Sequence, residues 1–118
     1  MGEFSIHRKD VNEISVLNIE GYLDSYTAPS LENAIGQLVS ENRYKIVVNF
    51  EKLLYINSAG LGVFWVFIED IRAKNGDIKM CNMPDKVFKI FDLLGFSRLY
   101  DIVTEESEAI SKLSFEKS

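Results

Sequence analysis

The residues best suited to chemistry lie in one short turn, which reads Asn57-Ser58-Ala59-Gly60-Leu61-Gly62. A strongly apolar run, residues 63–68, follows the turn and predicts that a helix begins there. Asn57 and Ser58 both belong to the residue types that cap helices, because their side-chain oxygens accept hydrogen bonds from first-turn N–H groups. The N-terminus of a helix also favours negative charge. The Ser58 hydroxyl is therefore better suited to receive a phosphate than to attack a substrate.

Two glycines lie inside this predicted helix start. Gly60 and Gly62 each cost roughly 1 kcal/mol of helix stability relative to alanine, so helix propensity does not explain them. Close approach of another backbone to the turn would explain them, because glycine carries no side chain. The pair also forms a GxG sequence, but a dinucleotide site would need a third glycine and an acidic residue further on.

Few other residues suggest catalysis. His7 is the only histidine, and the sequence contains neither a GxxxxGK[ST] phosphate loop nor a nucleophile elbow, so Ser58 has no evident base. The single cysteine, Cys81, lacks a CxxC partner, which favours a buried core position over a reactive thiol. Asp24 has two interpretations: a turn carboxylate, or a rim residue beside Ser58. A small nucleotide-binding or hydrolytic enzyme would need Asp24, Ser58 and a base to converge, and we therefore predict no enzyme, metal or cofactor.

Composition narrows the classes of protein further. The chain has 118 residues, 47% of them hydrophobic, which suits a single domain spanning residues 1–118. A net charge of −5 argues against nucleic acid as a partner, since binding phosphates requires a basic surface. No apolar run approaches the roughly 18 residues needed to span a bilayer, and residues 1–10 lack the apolar centre of a signal peptide. We therefore expect a cytoplasmic protein that does not enter membranes.

Apolar periodicity predicts an α/β order of elements that opens with a hairpin. A turn over residues 9–13 separates the first two strands, and residues 21–29 form a loop rich in capping residues before the first helix. The domain core covers about residues 4–113, and residues 114–118 form a frayed tail. The predicted strands cover residues 4–8, 14–19, 46–50, 78–82 and 99–103, and the predicted helices cover residues 31–39, 58–74, 84–95 and 104–113.

The helix that follows the turn carries more apolar residues than one buried stripe requires. Residues off the stripe could pack within a helix sandwiched inside its own domain, or form an exposed patch for another protein. Both interpretations can hold together, and an exposed patch would also allow a weak homodimer. The predicted buried stripe is Leu61, Phe64, Trp65, Ile68 and Ile71, and the residues off it are Val63, Val66 and Phe67.

Together these residues resemble a known family. The segment Gly21-Tyr22-Leu23-Asp24, the strand over residues 46–50 and the turn over residues 57–62 are similar to the STAS domain of bacterial anti-sigma factor antagonists. The most specific part is the [DN]-S-[SAT]-G-L-G pattern of the turn, and residues 86–96 resemble the third helix of the family. The resemblance implies an α/β fold with a small mixed sheet of four to five strands and about four helices, mainly on one face.

The resemblance also implies a partner-switching function. In that family the unphosphorylated antagonist binds an anti-sigma factor of histidine-kinase-like ATPase fold and releases a sigma factor. The same partner acts as a serine kinase on the serine that matches Ser58, and a PPM-type serine phosphatase reverses the modification. ATP is then the substrate of the kinase and no cofactor of this chain. The residues expected to bind the partner are Asp24, Asn57, Ser58, Ala59, Gly60, Leu61 and Gly62.

The turn departs from the family at one position. Antagonists usually carry aspartate before the phosphorylated serine, where this chain has Asn57. Asparagine keeps the capping geometry but removes a negative charge, so we predict that binding survives and that Ser58 is phosphorylated. The alternative is a scaffold or transport accessory subunit of the same fold that binds a partner without a phosphoswitch.

Overall fold

A mixed five-stranded sheet forms the centre of the computed structural model, which describes residues 3–115. The strands lie side by side in sequence order; β1 is antiparallel to β2, and the other neighbouring pairs are parallel. This arrangement confirms the predicted α/β class and the opening hairpin. The elements are β1 (Phe4–Val11), β2 (Ile14–Leu23), α1 (Ala28–Ser40), β3 (Lys45–Ile56), α2 (Ser58–Ala73), β4 (Asp77–Cys81), α3 (Asp85–Leu93), β5 (Asp101–Val103) and α4 (Glu106–Phe115).

Strands β1 and β2 are longer than the sequence predicts. The predicted turn over residues 9–13 shrinks to Asn12 and Glu13, because Asn12 adopts the left-handed conformation, with φ of 56°, that a tight turn requires. Strand β2 continues through Gly21, which was predicted to begin a loop. There the φ of Gly21 is 93°, and a Cβ would collide with the Glu3 carbonyl, which accepts a hydrogen bond from the Tyr22 N–H at 3.1 Å.

The two faces of the sheet are covered unequally. Helices α1, α2 and α3 pack on one face around a large aromatic and aliphatic core that includes Phe50, Phe64 and Phe91. Helix α4 covers part of the other face with Ala109 and Leu113, over a smaller cluster that contains Cys81. Cys81 is fully buried in this cluster, as predicted for a core residue, and burial raises the pKa of its thiol to about 12.

The buried side of α2 is rotated from the predicted stripe. Phe64 and Ile71 are fully buried as expected, but Trp65 is 55% exposed, so its predicted burial is wrong. Helix α1 packs against the side of α2 on which Phe67 lies half-buried: a Cβ added to Gly36 of α1 would lie 3.8 Å from the Phe67 ring. Of the residues placed off the stripe, Val63 is therefore buried, Phe67 is half-buried and Val66 is exposed.

Helix α4 extends into the region that was predicted as a frayed tail. Helix α4 includes Ser114 and Phe115, and the Ser114 hydroxyl donates to the Ile110 carbonyl at 2.8 Å. The remainder of the predicted tail, residues 116–118, lies outside the described residues.

Candidate functional site

The Ser58 turn lies at the edge of the sheet where two parallel strands end together. Strands β2 and β3 end at Leu23 and Ile56, which are paired in register. The Asn57 N–H donates a hydrogen bond to the Leu23 carbonyl at 3.2 Å, which connects the segments that follow the two strands. Asp24 and Ser58 consequently follow neighbouring strands at one edge. The carboxyl edge of parallel strands is where α/β folds usually place their binding sites.

Asn57 is the residue that caps α2. Its side-chain Oδ1 accepts hydrogen bonds from the Ala59 N–H at 3.0 Å and the Gly60 N–H at 3.4 Å. Because the Asn57 side chain supplies the cap, the Ser58 side chain is not needed for capping. The Ser58 side chain is exposed, and within residues 3–115 its hydroxyl has no hydrogen-bond partner. A kinase or a binding partner can therefore reach the oxygen without first breaking a bond inside the fold.

Asp24 organises the loop between β2 and α1. Its carboxylate accepts from the Tyr26 N–H at 2.9 Å and the Thr27 N–H at 3.2 Å. The Thr27 hydroxyl donates to the Tyr22 carbonyl at 2.8 Å and accepts from the Asp24 N–H at 2.9 Å. The turn-carboxylate interpretation is confirmed. Contact of this residue with a partner stays a prediction, as it does for each residue of the turn.

The two glycines of the turn meet different surroundings. A Cβ on Gly60 would lie 2.6 Å from Leu23 Cγ and 3.1 Å from Ile56 Cγ1, so the ends of β2 and β3 require a glycine there. The close neighbour is a side chain of this chain and not a second backbone. A Cβ on Gly62 would meet nothing within 4 Å. The packing of this chain therefore leaves Gly62 unexplained.

Aromatic residues that are not among the predicted site residues lie at the strand ends beside the turn. The rings of Tyr22 and Tyr55 lie 6.0 Å apart on the paired ends of β2 and β3. Tyr26 is 91% exposed in the loop that Asp24 organises. A signal was present in the sequence, because tyrosines close to the ends of two parallel strands reach the same edge of a sheet. Tyrosine is among the residues enriched at protein interfaces.

Within the described residues, the His7 and Asp24 side chains contact groups other than Ser58. His7 pairs with Asn18 between β1 and β2, and its Nε2 lies 3.6 Å from a carboxylate oxygen of Glu20. The Asp24 carboxylate is bound to its own loop. In the part of the chain that the structure describes, no group of three or more His, Cys, Asp and Glu residues could hold a metal ion. Over the same residues, no helix is both long and apolar enough to cross a membrane.

Comparison with known families identifies the fold. The model of the STAS domain family matches residues 5–109. The chain belongs to the STAS domain family. The match reaches every strand and the beginning of α4, and it includes both sides of the Asp24 and Ser58 edge.

Two curated relatives of this STAS chain carry the same description. The anti-sigma-B factor antagonist of Bacillus subtilis is 30% identical over 95 residues, which are 80% of this chain and 85% of the relative. The anti-sigma-B factor antagonist of Listeria monocytogenes is 25% identical over 103 residues, or 87% of this chain and 90% of the relative. Both similarities cover at least 80% of this chain and at least 85% of the relative.

Solved structures share the fold at lower sequence identity. An anti-sigma factor antagonist from Mycobacterium paratuberculosis superposes with a TM-score of 0.86 at 20% identity, covering 95% of each chain. The anti-sigma factor antagonist SpoIIAA in its unphosphorylated form gives a TM-score of 0.83 at 22% identity, over 97% of this chain and 100% of that one. The Bacillus SpoIIAA in the phosphorylated form gives 0.72 at 23% identity, over 92% and 98%. These likenesses establish the STAS architecture, a mixed sheet with helices on both faces.

Proposed function

We propose that this chain is an anti-sigma factor antagonist whose Ser58 turn binds an anti-sigma factor. The observation that carries the proposal is the exposed Ser58 hydroxyl at the start of α2, which has no hydrogen-bond partner among the described residues, while the Asn57 side chain supplies the cap. The descriptions of the Bacillus and Listeria relatives support the same function. In its unphosphorylated form the chain holds the anti-sigma factor and so releases a sigma factor.

Phosphorylation of Ser58 switches the binding off. A phosphate adds roughly −1.5 to −2 charge at pH 7. Within the chain the helix N-terminus tolerates this charge, and Asn57 places no second negative charge beside it. In a packed interface the same group is costly through its bulk, its desolvation and its repulsion from facing carboxylates. Weakening nanomolar binding to micromolar requires only about 4 kcal/mol, so a local charge change is sufficient.

The proposed switch needs two cytoplasmic enzymes. The anti-sigma factor, a serine kinase of histidine-kinase-like ATPase fold, transfers the γ-phosphoryl group of ATP to the Ser58 hydroxyl, and ADP leaves. A PPM-type serine phosphatase hydrolyses the phosphate ester and restores the hydroxyl. The chain itself contributes an accessible oxygen on a rigid helix start, and catalysis belongs to the partners.

Charge substitution at Ser58 tests the proposal. We expect Ser58→Asp to weaken binding to the purified anti-sigma factor at least 100-fold, and Ser58→Ala to bind like the wild type. Ser107→Asp is the matched control, because Ser107 is an exposed serine in the first turn of α4 on the other side of the sheet. Titration calorimetry gives each Kd. Equal affinity for Ser58→Asp and wild type would favour a scaffold or transport accessory subunit that binds without a phosphoswitch.

A further inference from the structure

The solvent-facing side of α2 continues the Ser58 site along the helix. Five residues of α2 lie on one face of the helix, because each is three or four positions from another member of the set. They are Ser58, Gly62, Trp65, Val66 and Glu69. Trp65 is 55% exposed and Val66 is 61% exposed, whereas the opposite side of the helix is buried in the core. We call this face the α2 stripe. It begins at the proposed phosphorylation site and presents large apolar side chains to solvent.

Gly62 lies in the middle of the α2 stripe, in a helix interior where glycine costs about 1 kcal/mol relative to alanine. Its φ lies outside the left-handed region and a Cβ would meet nothing within 4 Å, so neither conformation nor packing requires glycine. Because glycine has no side chain, a molecule that packs on the stripe would come closer to the helix axis at this position. Gly62 thus indicates that another molecule packs on this face of α2.

A hollow beside Trp65 offers a place for a partner side chain. It has a volume of about 340 Å³ and lies between α2 and Leu99, which precedes β5. The Trp65 ring contacts Phe96 edge-on, with the ring centroids 6.1 Å apart, which holds the indole in place above α2. The apolar residues that line the hollow are Trp65, Val66, Ile68 and Leu99.

The charges around the hollow indicate the chemistry of the partner. Glu69 and Asp70 line it and are exposed, and among residues 3–115 neither forms an ion pair. Arg72, the one basic residue that lines the hollow in the described part of the chain, already donates to the Asp77 carboxylate at 2.9 Å and to the Leu99 carbonyl at 2.6 Å. The hollow therefore suits an apolar side chain flanked by lysine or arginine.

We propose that the α2 stripe is a second anchoring surface for the anti-sigma factor that binds the Ser58 turn. This inference rests on the proposed function, because continuity with the Ser58 turn selects that partner over others. A backbone segment of the anti-sigma factor crosses Gly62, an apolar side chain enters the hollow, and basic residues face Glu69 and Asp70. Trp65 supplies the central contact, as a large aromatic residue with little conformational entropy to lose.

Binding of the purified anti-sigma factor to matched variants tests the α2 stripe. We expect Trp65→Ala to raise Kd at least about 30-fold. Leu93→Ala, its control on α3, removes an apolar residue that is more exposed than Trp65 (83% against 55%) and leaves Kd unchanged. We expect Gly62→Gln to raise Kd at least 10-fold, whereas Ser111→Gln on α4 does not. Charge reversal by Glu69→Lys weakens binding and flattens its salt dependence, and Glu108→Lys does neither.

The outcomes separate this inference from the function on which it rests. If wild type binds, Ser58→Asp does not, and Trp65→Ala and Gly62→Gln bind within twofold of wild type, the α2 stripe is not part of the interface and the switch still stands. If wild type does not bind the anti-sigma factor, the proposed function itself fails. Sedimentation of the free chain provides a further check. Self-association abolished by Trp65→Ala, with anti-sigma binding intact, would assign the stripe to a second copy and overturn the inference.

Discussion

Single residues in the first turn of α2 have separable tasks. Asn57 caps the helix, Ser58 stays free, and Gly60 permits the close packing of the strand ends. Gly62, two residues further, does none of these. The same residue type therefore serves the fold at one position and, in our proposal, serves the partner at the other. Measurements of the free energy of unfolding distinguish the two glycines, because only the replacement of Gly60 disturbs packing inside the isolated chain.

Alanine at Gly60 and at Gly62 should change the free energy of unfolding in opposite directions. We expect Gly60→Ala to lose about 1–3 kcal/mol, because its methyl group overlaps the Leu23 side chain. Gly62→Ala should gain about 0.5–1 kcal/mol from helix propensity in open space. Gly36→Ala, whose methyl makes ordinary contact with Phe67, is the control and should also gain. Urea unfolding measures all three, and destabilisation by Gly62→Ala would show an internal role that we exclude.

The Asn57 cap gives a second prediction at this scale. Asn57→Ala should cost about 1 kcal/mol in urea unfolding, since two first-turn N–H groups lose their acceptor. Asn57→Asp should keep the cap and match or exceed the wild-type stability, because a carboxylate also suits the helix N-terminus. A stability of Asn57→Ala equal to that of the wild type would mean that Ser58 takes over the cap, and its hydroxyl would then not be free.

At the scale of elements, β4, β5 and α4 are joined by a network of ion pairs around the buried Lys79 side chain. Lys79 of β4 is 4% exposed, and its ammonium lies 3.1 Å from Asp77 and 3.3 Å from Asp101. Lys112 reaches from α4 to the same Asp101 carboxylate at 2.8 Å. Burial opposes ionisation of Asp101, but hydrogen bonds from Lys112 and Lys79 outweigh it and lower the pKa of that carboxyl.

The network predicts a stability that decreases in acid. The folded-state pKa of Asp101 lies below its unfolded value of 3.8, so its contribution is complete above that pH and is lost as pH decreases through the folded value. We expect Asp101→Asn to be less stable than wild type at pH 7, with the difference shrinking below about pH 4. Thermal unfolding from pH 7 to pH 2 measures it. A difference that stays constant over this range would mean that the ionised carboxylate contributes nothing.

Elements that a local signal determines could be predicted from the sequence. The hairpin, the order of strands and helices, and the start of α2 all follow from apolar periodicity and capping residues. Features that tertiary contacts determine could not be predicted. Trp65 fits a buried stripe by spacing alone, but α1 packs on the Phe67 side and rotates the buried arc away from it. The pairing of Tyr22 with Tyr55 likewise depends on which strands become neighbours.

The whole molecule places its proposed switch at one edge of a rigid sheet. The Ser58 turn follows β3, the central strand, while the large core lies behind α2. A charge added at the exposed start of α2 therefore changes the surface without entering the core. The chain already has a net charge of −5, so at long range it is repelled by an acidic partner surface and attracted to a basic one. A negative charge added at Ser58 strengthens both effects.

The isolated fold should be indifferent to the charge that controls binding. We expect the free energy of unfolding of Ser58→Asp to lie within about 0.5 kcal/mol of the wild-type value, because the side chain is exposed and the helix N-terminus favours an anion. Urea unfolding together with circular dichroism checks both stability and helix content. A large loss of stability would indicate that phosphorylation acts by unfolding α2 and not by blocking an interface.

The most direct test of the central claim is the affinity of the native chain for the purified anti-sigma factor before and after enzymatic phosphorylation with ATP. We predict a single phosphate at Ser58 by mass spectrometry, and a Kd that rises about 1,000-fold by titration calorimetry, the equivalent of about 4 kcal/mol. Treatment with a PPM-type phosphatase should restore the original affinity. A phosphate located at another residue, or a phosphorylated chain that binds as tightly as the unmodified one, would contradict the account.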